Sequence, residues 1–146
     1  MTRLVSIDAP LSLQKAGEHR WLEISLHQAA LEEWCLSVAA LRFDLVPRLT
    51  IRGADLALML QKREQPRGVR AVARIDGGRI DLYVSPTELD YWLTFSLASV
   101  RDGHAAVDHI DVEMNGGTPF ESLVLKFERS APAVRPDEAR RRLNLA

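Results

Sequence analysis

Gly68-Val69-Arg70-Ala71-Val72-Ala73-Arg74-Ile75-Asp76-Gly77-Gly78-Arg79-Ile80-Asp81-Leu82-Tyr83-Val84-Ser85 is the stretch on which the fold turns. Val69, Ala71, Ala73 and Ile75 alternate with Arg70, Val72, Arg74 and Asp76, then Gly77-Gly78 interrupts, and Ile80, Leu82 and Val84 alternate with Arg79, Asp81 and Tyr83. Side chains of a strand point to opposite faces in turn. Period-two alternation on both sides of Asp-Gly-Gly therefore predicts a hairpin with one buried face.

Downstream, Ser85-Pro86-Thr87-Glu88 has the make-up of a helix start, with Ser as N-cap, Pro at the first helical position and Glu completing a capping box. Leu89, Trp92, Leu93, Ser96, Leu97 and Val100 follow at helical spacing, and Gly103 stands where a left-handed stop belongs. Leu93, Phe95 and Leu97 also alternate as a strand would, but the capping box decides for helix. His109 to Met114 alternates again, Asn115-Gly116-Gly117-Thr118-Pro119 is turn material, and Leu123 to Glu128 reads as a partner strand.

The first half lines up beneath the second. Trp21 to Leu26 falls against Arg79 to Val84, and Leu31 and Trp34 fall against Leu89 and Trp92, at one constant offset. Arg48-Leu49-Thr50-Ile51-Arg52 then matches His109 to Glu113, and Leu56 to Gln61 matches Leu123 to Glu128. Identity is sparse, but the order of elements repeats. The expectation is a single α+β domain over 1–130, built from two strand–strand–helix–strand–strand units (1–64 and 65–130). It would be mostly antiparallel sheet with two helices on one face, and the strand–helix–strand crossover in each unit can add a parallel pair. A strand within Leu4 to Leu13 would complete the first unit. Residues 131–146 read as a linker and a short basic tail holding Arg140-Arg141-Arg142.

Composition sets the class. The chain has 146 residues, 47% hydrophobic and 27% charged, with a formal net charge of −1. This is a globular balance, and a chain of this size needs neither metal nor disulfide to fold. The one cysteine, Cys35, excludes an internal disulfide framework and fits a reducing compartment. No apolar run approaches the ~20 residues of a membrane span, and the N-terminus lacks the apolar core of a signal peptide. A cytoplasmic protein is expected, and the Ala/Arg/Leu-rich composition looks bacterial. Near-neutral charge speaks against nucleic acid as the partner.

The residues that carry chemistry are few. His109, Asp111 and Glu113 share one strand face, with His104 and Asp108 nearby, and such groups can converge on a cation. Alternate charges are also what the wet face of a half-covered sheet requires, so no metal and no cofactor is expected. Their counterparts in the first unit are Arg48, Thr50 and Arg52, a basic strand against an acidic one. The pair either neutralises across the sheet or forms a bipolar binding surface. Cys35 lies on the apolar stripe Leu31, Trp34, Cys35 and Val38, a packing position rather than a reactive one. His27 stands where Ser85 caps the second helix and reads as a weaker cap. Tyr91 and Phe95 fall opposite the apolar stripe of the second helix, where the first unit carries Glu33 and Ser37. Two aromatics on a face that should be wet point to a contact with another chain. Arg140 to Arg142 lack aromatic interleaving and read as a solvated tail, and neither glycine pair has the Gly-Lys-Ser/Thr of a phosphate loop.

With no catalytic constellation, the expectation is a non-enzymatic protein-binding module, an inhibitor of the immunity or antitoxin kind. Its partner would be a protein such as a toxin or effector, with a second copy of the chain as a further partner. Tyr91, Phe95, His109, Asp111, Glu113, Arg48 and Arg52 would carry the contacts. The alternatives are a small-ligand or metal site at His104 to Glu113, and a secretion chaperone or assembly factor.

Overall fold

The computed structural model describes residues 5–102, 109–114 and 120–128. In chain order the elements are β1 (Val5–Asp8), β2 (Leu11–Ala16), β3 (His19–His27), α1 (Leu31–Arg42), β4 (Leu49–Arg52), β5 (Ala57–Lys62), β6 (Ala71–Asp76), β7 (Arg79–Val84), α2 (Pro86–Asp102), β8 (His109–Glu113) and β9 (Ser122–Glu128). The class is α+β, as the residue pattern predicts. The hairpin on which that reading rests is β6–β7, antiparallel, with Gly77 at φ +61 in its turn, a conformation that glycine adopts without strain. Gly103, His104, Asp108, the Asn115–Pro119 turn and the tail with Arg140 to Arg142 lie outside the described residues.

The strands form two sheets rather than one. The first has the order β1-β4-β5-β7-β6 and the second β2-β3-β9-β8. Hairpins within each half are antiparallel, while β5 pairs with β7 and β3 with β9 in parallel. Each sheet is thus assembled from one hairpin of each half. The registers also match across halves. Leu58 sits beside Ile51 and Ile80 in the first sheet, as Leu123 sits beside Val112 and Leu22 in the second. This corrects the sequence match of the last strand by two residues, Leu58 rather than Leu56 falling against Leu123. A shift of two keeps every side chain on the same face, so periodicity alone could not detect it.

One apolar cluster joins the inner faces of both sheets to the helices. Leu22, Ile24, Leu123, Leu125 and Val112 come from the second sheet, and Leu49, Ile51, Leu58, Leu60 and Leu82 from the first. Each such side chain stabilises by about 1.5–3 kcal/mol when fully buried. The helices run antiparallel. Arg42 pairs with Asp90 at one end, Gln28 Nε2 donates to the Ser99 carbonyl at the other, and Trp34 and Trp92 stack between them at 6.1 Å. Trp34 Nε1 donates to Ser96 Oγ at 3.1 Å, and Trp92 Nε1 to Glu88 Oε1 at 2.9 Å.

The helix ends differ from expectation in two ways. Ser85 Oγ does accept from the Glu88 N–H at 3.2 Å, but the Glu88 carboxylate turns inward to Trp92, so only half of the capping box forms. The first helix is entered through a 3-10 turn, Gln28–Ala30, and His27 makes no side-chain cap there. At the far end of α1 the chain turns through Asp44 at φ 62. Lys62 Nζ fastens that end, donating to the Arg42 carbonyl at 2.9 Å and pairing with Asp44 at 2.7 Å. The buried stripe of α2 is Leu89, Trp92, Leu93, Ser96 and Ser99, whereas Leu97 is 54% exposed. Leu97 lies one residue past the 3.6-residue period that carries the stripe.

Because each sheet takes hairpins from both halves, neither half can complete a sheet alone. Fragments cut within 63–70 and expressed separately are expected to be unfolded or homodimeric by circular dichroism and light scattering, and to regain the native spectrum on mixing. A folded monomeric fragment would contradict this topology.

Candidate functional site

Alternation decides what each sheet shows to solvent. On the outer face of the first sheet, one row across the strands reads Asp8, Arg52, Ala57, Arg79, Asp76, and the next reads Ser6, Thr50, Met59, Asp81, Arg74. Every one of these arginines has an aspartate beside it. Arg52 faces Asp8 in register, and Arg79 bonds Asp81 at 3.0 Å. Arg48 precedes β4 at its near end. Arg52 therefore has an opposite charge beside it in its own sheet, while Arg48 lies outside these rows.

The outer face of the second sheet is built differently. Its rows read Gln14, Trp21, Ser122, Glu113; then Ser12, Glu23, Val124, Asp111; then Ser25, Lys126, His109. Glu23, Asp111 and Glu113, with Glu121 at the rim, outnumber the one lysine. Trp21 lies half-buried among them, its ring stacked with His19 at 5.5 Å. The basic and acidic strands thus belong to two different sheets, so the two together form no bipolar sheet face and do not neutralise each other across one sheet. His109 and Asp111 approach to 3.5 Å. Among the described residues no group of three or more His, Cys, Asp or Glu side chains is placed to hold a metal ion.

One constellation on this face has the order of an acid–His–Ser relay: Glu121 contacts His19 Nδ1, and Ser122 Oγ lies 3.4 Å from His19 Nε2. The histidine and glutamate side chains are 51% and 60% exposed. Water screens so open a pair, and the 3.4 Å contact is too long for a strong hydrogen bond.

A second place combines a cavity with a buried acid. Between the 64–70 connector and the first turns of α2 lies an open groove of about 750 Å³, with Glu88 in its lining and Tyr91 and Thr94 along one wall. Glu88 is only 6% exposed. Burial pushes its carboxyl above the usual range, while the Trp92 hydrogen bond and the Arg70 charge pull it back. Tyr91 is 49% exposed and meets Phe95 edge-on at 4.8 Å. Phe95 itself packs on the core, and Ser37, its first-half counterpart, is buried. The expected wet aromatic pair is therefore one exposed tyrosine braced by a half-buried phenylalanine.

Tyr91 with Phe95, the acidic strand, and Arg52 of β4 with the preceding Arg48 accordingly lie on three separate surfaces. Trp21, His19 and Glu88 were not anticipated as site residues. Trp21 was legible as an aromatic out of phase with Leu22, Ile24 and Leu26. Glu88 had a weaker signal, standing one turn before a tryptophan whose indole needs an acceptor. Cys35 is buried in the core as its stripe predicts, and burial, with Glu32 adding, pushes its thiol up to about 11.

No family model matches the chain, and no curated protein matches it. Among solved structures, Drosophila Suppressor of Fused is similar over 84% of this chain, with 11% identity and a TM-score of 0.46. The match covers 26% of that protein's chain. A likeness of this degree assigns neither a family nor an activity.

Two outcomes follow. The buried Glu88 favours its protonated form in the folded state, so its contribution to stability falls as pH rises through the window above the ordinary carboxylate range. Glu88→Gln, which keeps an acceptor for Trp92, should melt higher than wild type at about pH 8, with the gap closing toward about pH 4; an unchanged gap would remove the burial argument. Cys35 should resist thiol reagents in the native protein at about pH 8 and react promptly once the chain is unfolded.

Proposed function

We propose that the chain is a non-enzymatic protein-binding module, an inhibitor of the immunity or antitoxin kind that acts by covering a basic surface of its partner. The observation that carries this reading is the outer face of the second sheet. Glu23, Asp111 and Glu113 share that face with Trp21 and little compensating charge, while the arginines on the outer face of the first sheet stand beside aspartates. This acidic face, with an open hollow of about 540 Å³ lined by Trp21, Asp111, Glu113 and Glu121, suits an inserted basic side chain of a protein partner. Tryptophan is a frequent anchor of such contacts, and uncompensated charge steers association. Proteins that handle nucleic acid present the complementary surface, since they must hold phosphates. No helix among the described residues is long and apolar enough to cross a membrane.

The test begins with the product of the neighbouring gene, co-expressed with this chain. A stoichiometric complex is expected whose affinity falls with salt, by about tenfold or more for Asp111→Lys with Glu113→Lys and comparably for Trp21→Ala. Arg52→Glu should leave it unchanged. A complex indifferent to the charge reversals, or no complex with either neighbouring product, would sink the reading.

A further inference from the structure

The groove beside α2 has a counterpart that shows what is particular to it. By the constant offset between the halves, Ser85, Glu88 and Tyr91 stand where the first half has His27, Ala30 and Glu33. Those three line the matching hollow at the start of α1, whose volume is only about 50 Å³. The difference arises in the connectors. Two residues, Ala9 and Pro10, lead from β1 into the first hairpin and close over the helix start. The longer 63–70 segment arches away from α2 before entering β6. Its shape is fixed by a turn in which the Val69 N–H donates to the Pro66 carbonyl, with Gly68 at φ +87, and by the Ser85 N–H bond to the Arg70 carbonyl. The space is thus held open by backbone.

The polar groups around the groove divide unequally. Two of its acids have partners: Asp90 receives both ends of the Arg42 guanidinium, at 2.8 and 3.2 Å, and Glu88 accepts from the Trp92 indole. The third acid, Glu64, is exposed in the lining, against two arginines and a glutamine. Gln65 Nε2 is buried in the lining with no hydrogen-bond partner, the one such side-chain atom among the described residues. Arg67 and Arg70 line the same space with exposed side chains. A buried donor without an acceptor costs its desolvation, about 1–3 kcal/mol, unless something supplies one. Two guanidiniums beside it favour an oxygen anion, to which arginine bonds in a planar, two-pronged geometry. Tyr91 adds an aromatic wall.

We propose that this groove binds a small molecule bearing an oxyanion, a carboxylate or a phosphate, with Arg67 and Arg70 holding the anion, the Gln65 amide turning outward to donate from Nε2, and Tyr91 covering the body of the ligand. The site is independent of the protein-binding face, which lies on the other sheet.

The experiment titrates the intact chain with benzoate, phenyl phosphate and inorganic phosphate, each against sodium chloride at equal ionic strength. It reads amide resonances by two-dimensional NMR and the melting temperature in parallel. At least one of the three is expected to shift the amides of Gln65 to Arg70 and Thr87 to Tyr91 and to raise Tm by a few degrees. Arg67→Ala with Arg70→Ala should weaken that binding about tenfold or more, and Gln65→Leu should weaken it without touching surface charge. Asp111→Asn should bind as wild type does. Binding by both phosphates but not benzoate assigns the site to phosphate ligands, and binding by benzoate alone assigns it to carboxylates. The proposal is overturned if none of the three binds beyond the salt control, if shifts scatter over the surface, or if affinity survives loss of both arginines.

Discussion

The parallel contacts of β5 with β7 and of β3 with β9 are the constraint from which the remaining structure follows. Each contact joins a strand of the first half to a strand of the second, so each sheet is half native and half borrowed. Parallel neighbours cannot be joined by a tight turn and need a crossover. The crossover into β9 runs through both helices, and both must then lie over the inner faces. That placement brings α1 and α2 side by side and forces Trp34 against Trp92. One continuous core results, since neither half has an inner face of its own to close.

A shared frame makes departures from it informative. β1 gives the first sheet a fifth strand beside β4, and its Asp8 stands in register with Arg52. In the second sheet β8 is the edge, so Asp111 and Glu113 have a neighbour on one side only. Charge on an edge strand discourages pairing with foreign strands, and that accounts for some acid there. It does not account for Glu23, which lies on the interior strand β3, nor for Trp21 beside it. The acidic face extends inward from the edge, as a contact surface would.

The hairpin at Ala71 to Val84, the helix starting after Ser85 and the apolar stripe through Leu31, Trp34 and Val38 were legible because each depends on neighbours within a few residues. The division into two sheets was not. It depends on which hairpin each half lends to the other, and period two is identical under either pairing. The same limit misplaced the charges: the sequence shows arginines at 48 and 52 and acids at 111 and 113, but the sheet that each joins is a long-range fact. Ser37 departs from expectation for a related reason: a serine suits a wet helix face, yet Ser37 is buried, as is Ser96 on the predicted stripe, which supplies an acceptor to Trp34.

That acceptor also bears on why Glu88 is buried at all. Each buried indole N–H needs an oxygen. Trp34 finds one across the helix interface in Ser96, but the residue matching Ser96 in the first half is Val38, which has none to give Trp92. Trp92 therefore turns to its own helix one turn back, where Glu88 replaces the Ala30 of the first half. A serine at position 38 would satisfy the same indole without burying a carboxyl, so core packing alone does not require an acid. A carboxyl costs more to bury than a hydroxyl, and this one lines the groove that the first half lacks. Its position fits a working surface better than it fits the hydrogen bond alone.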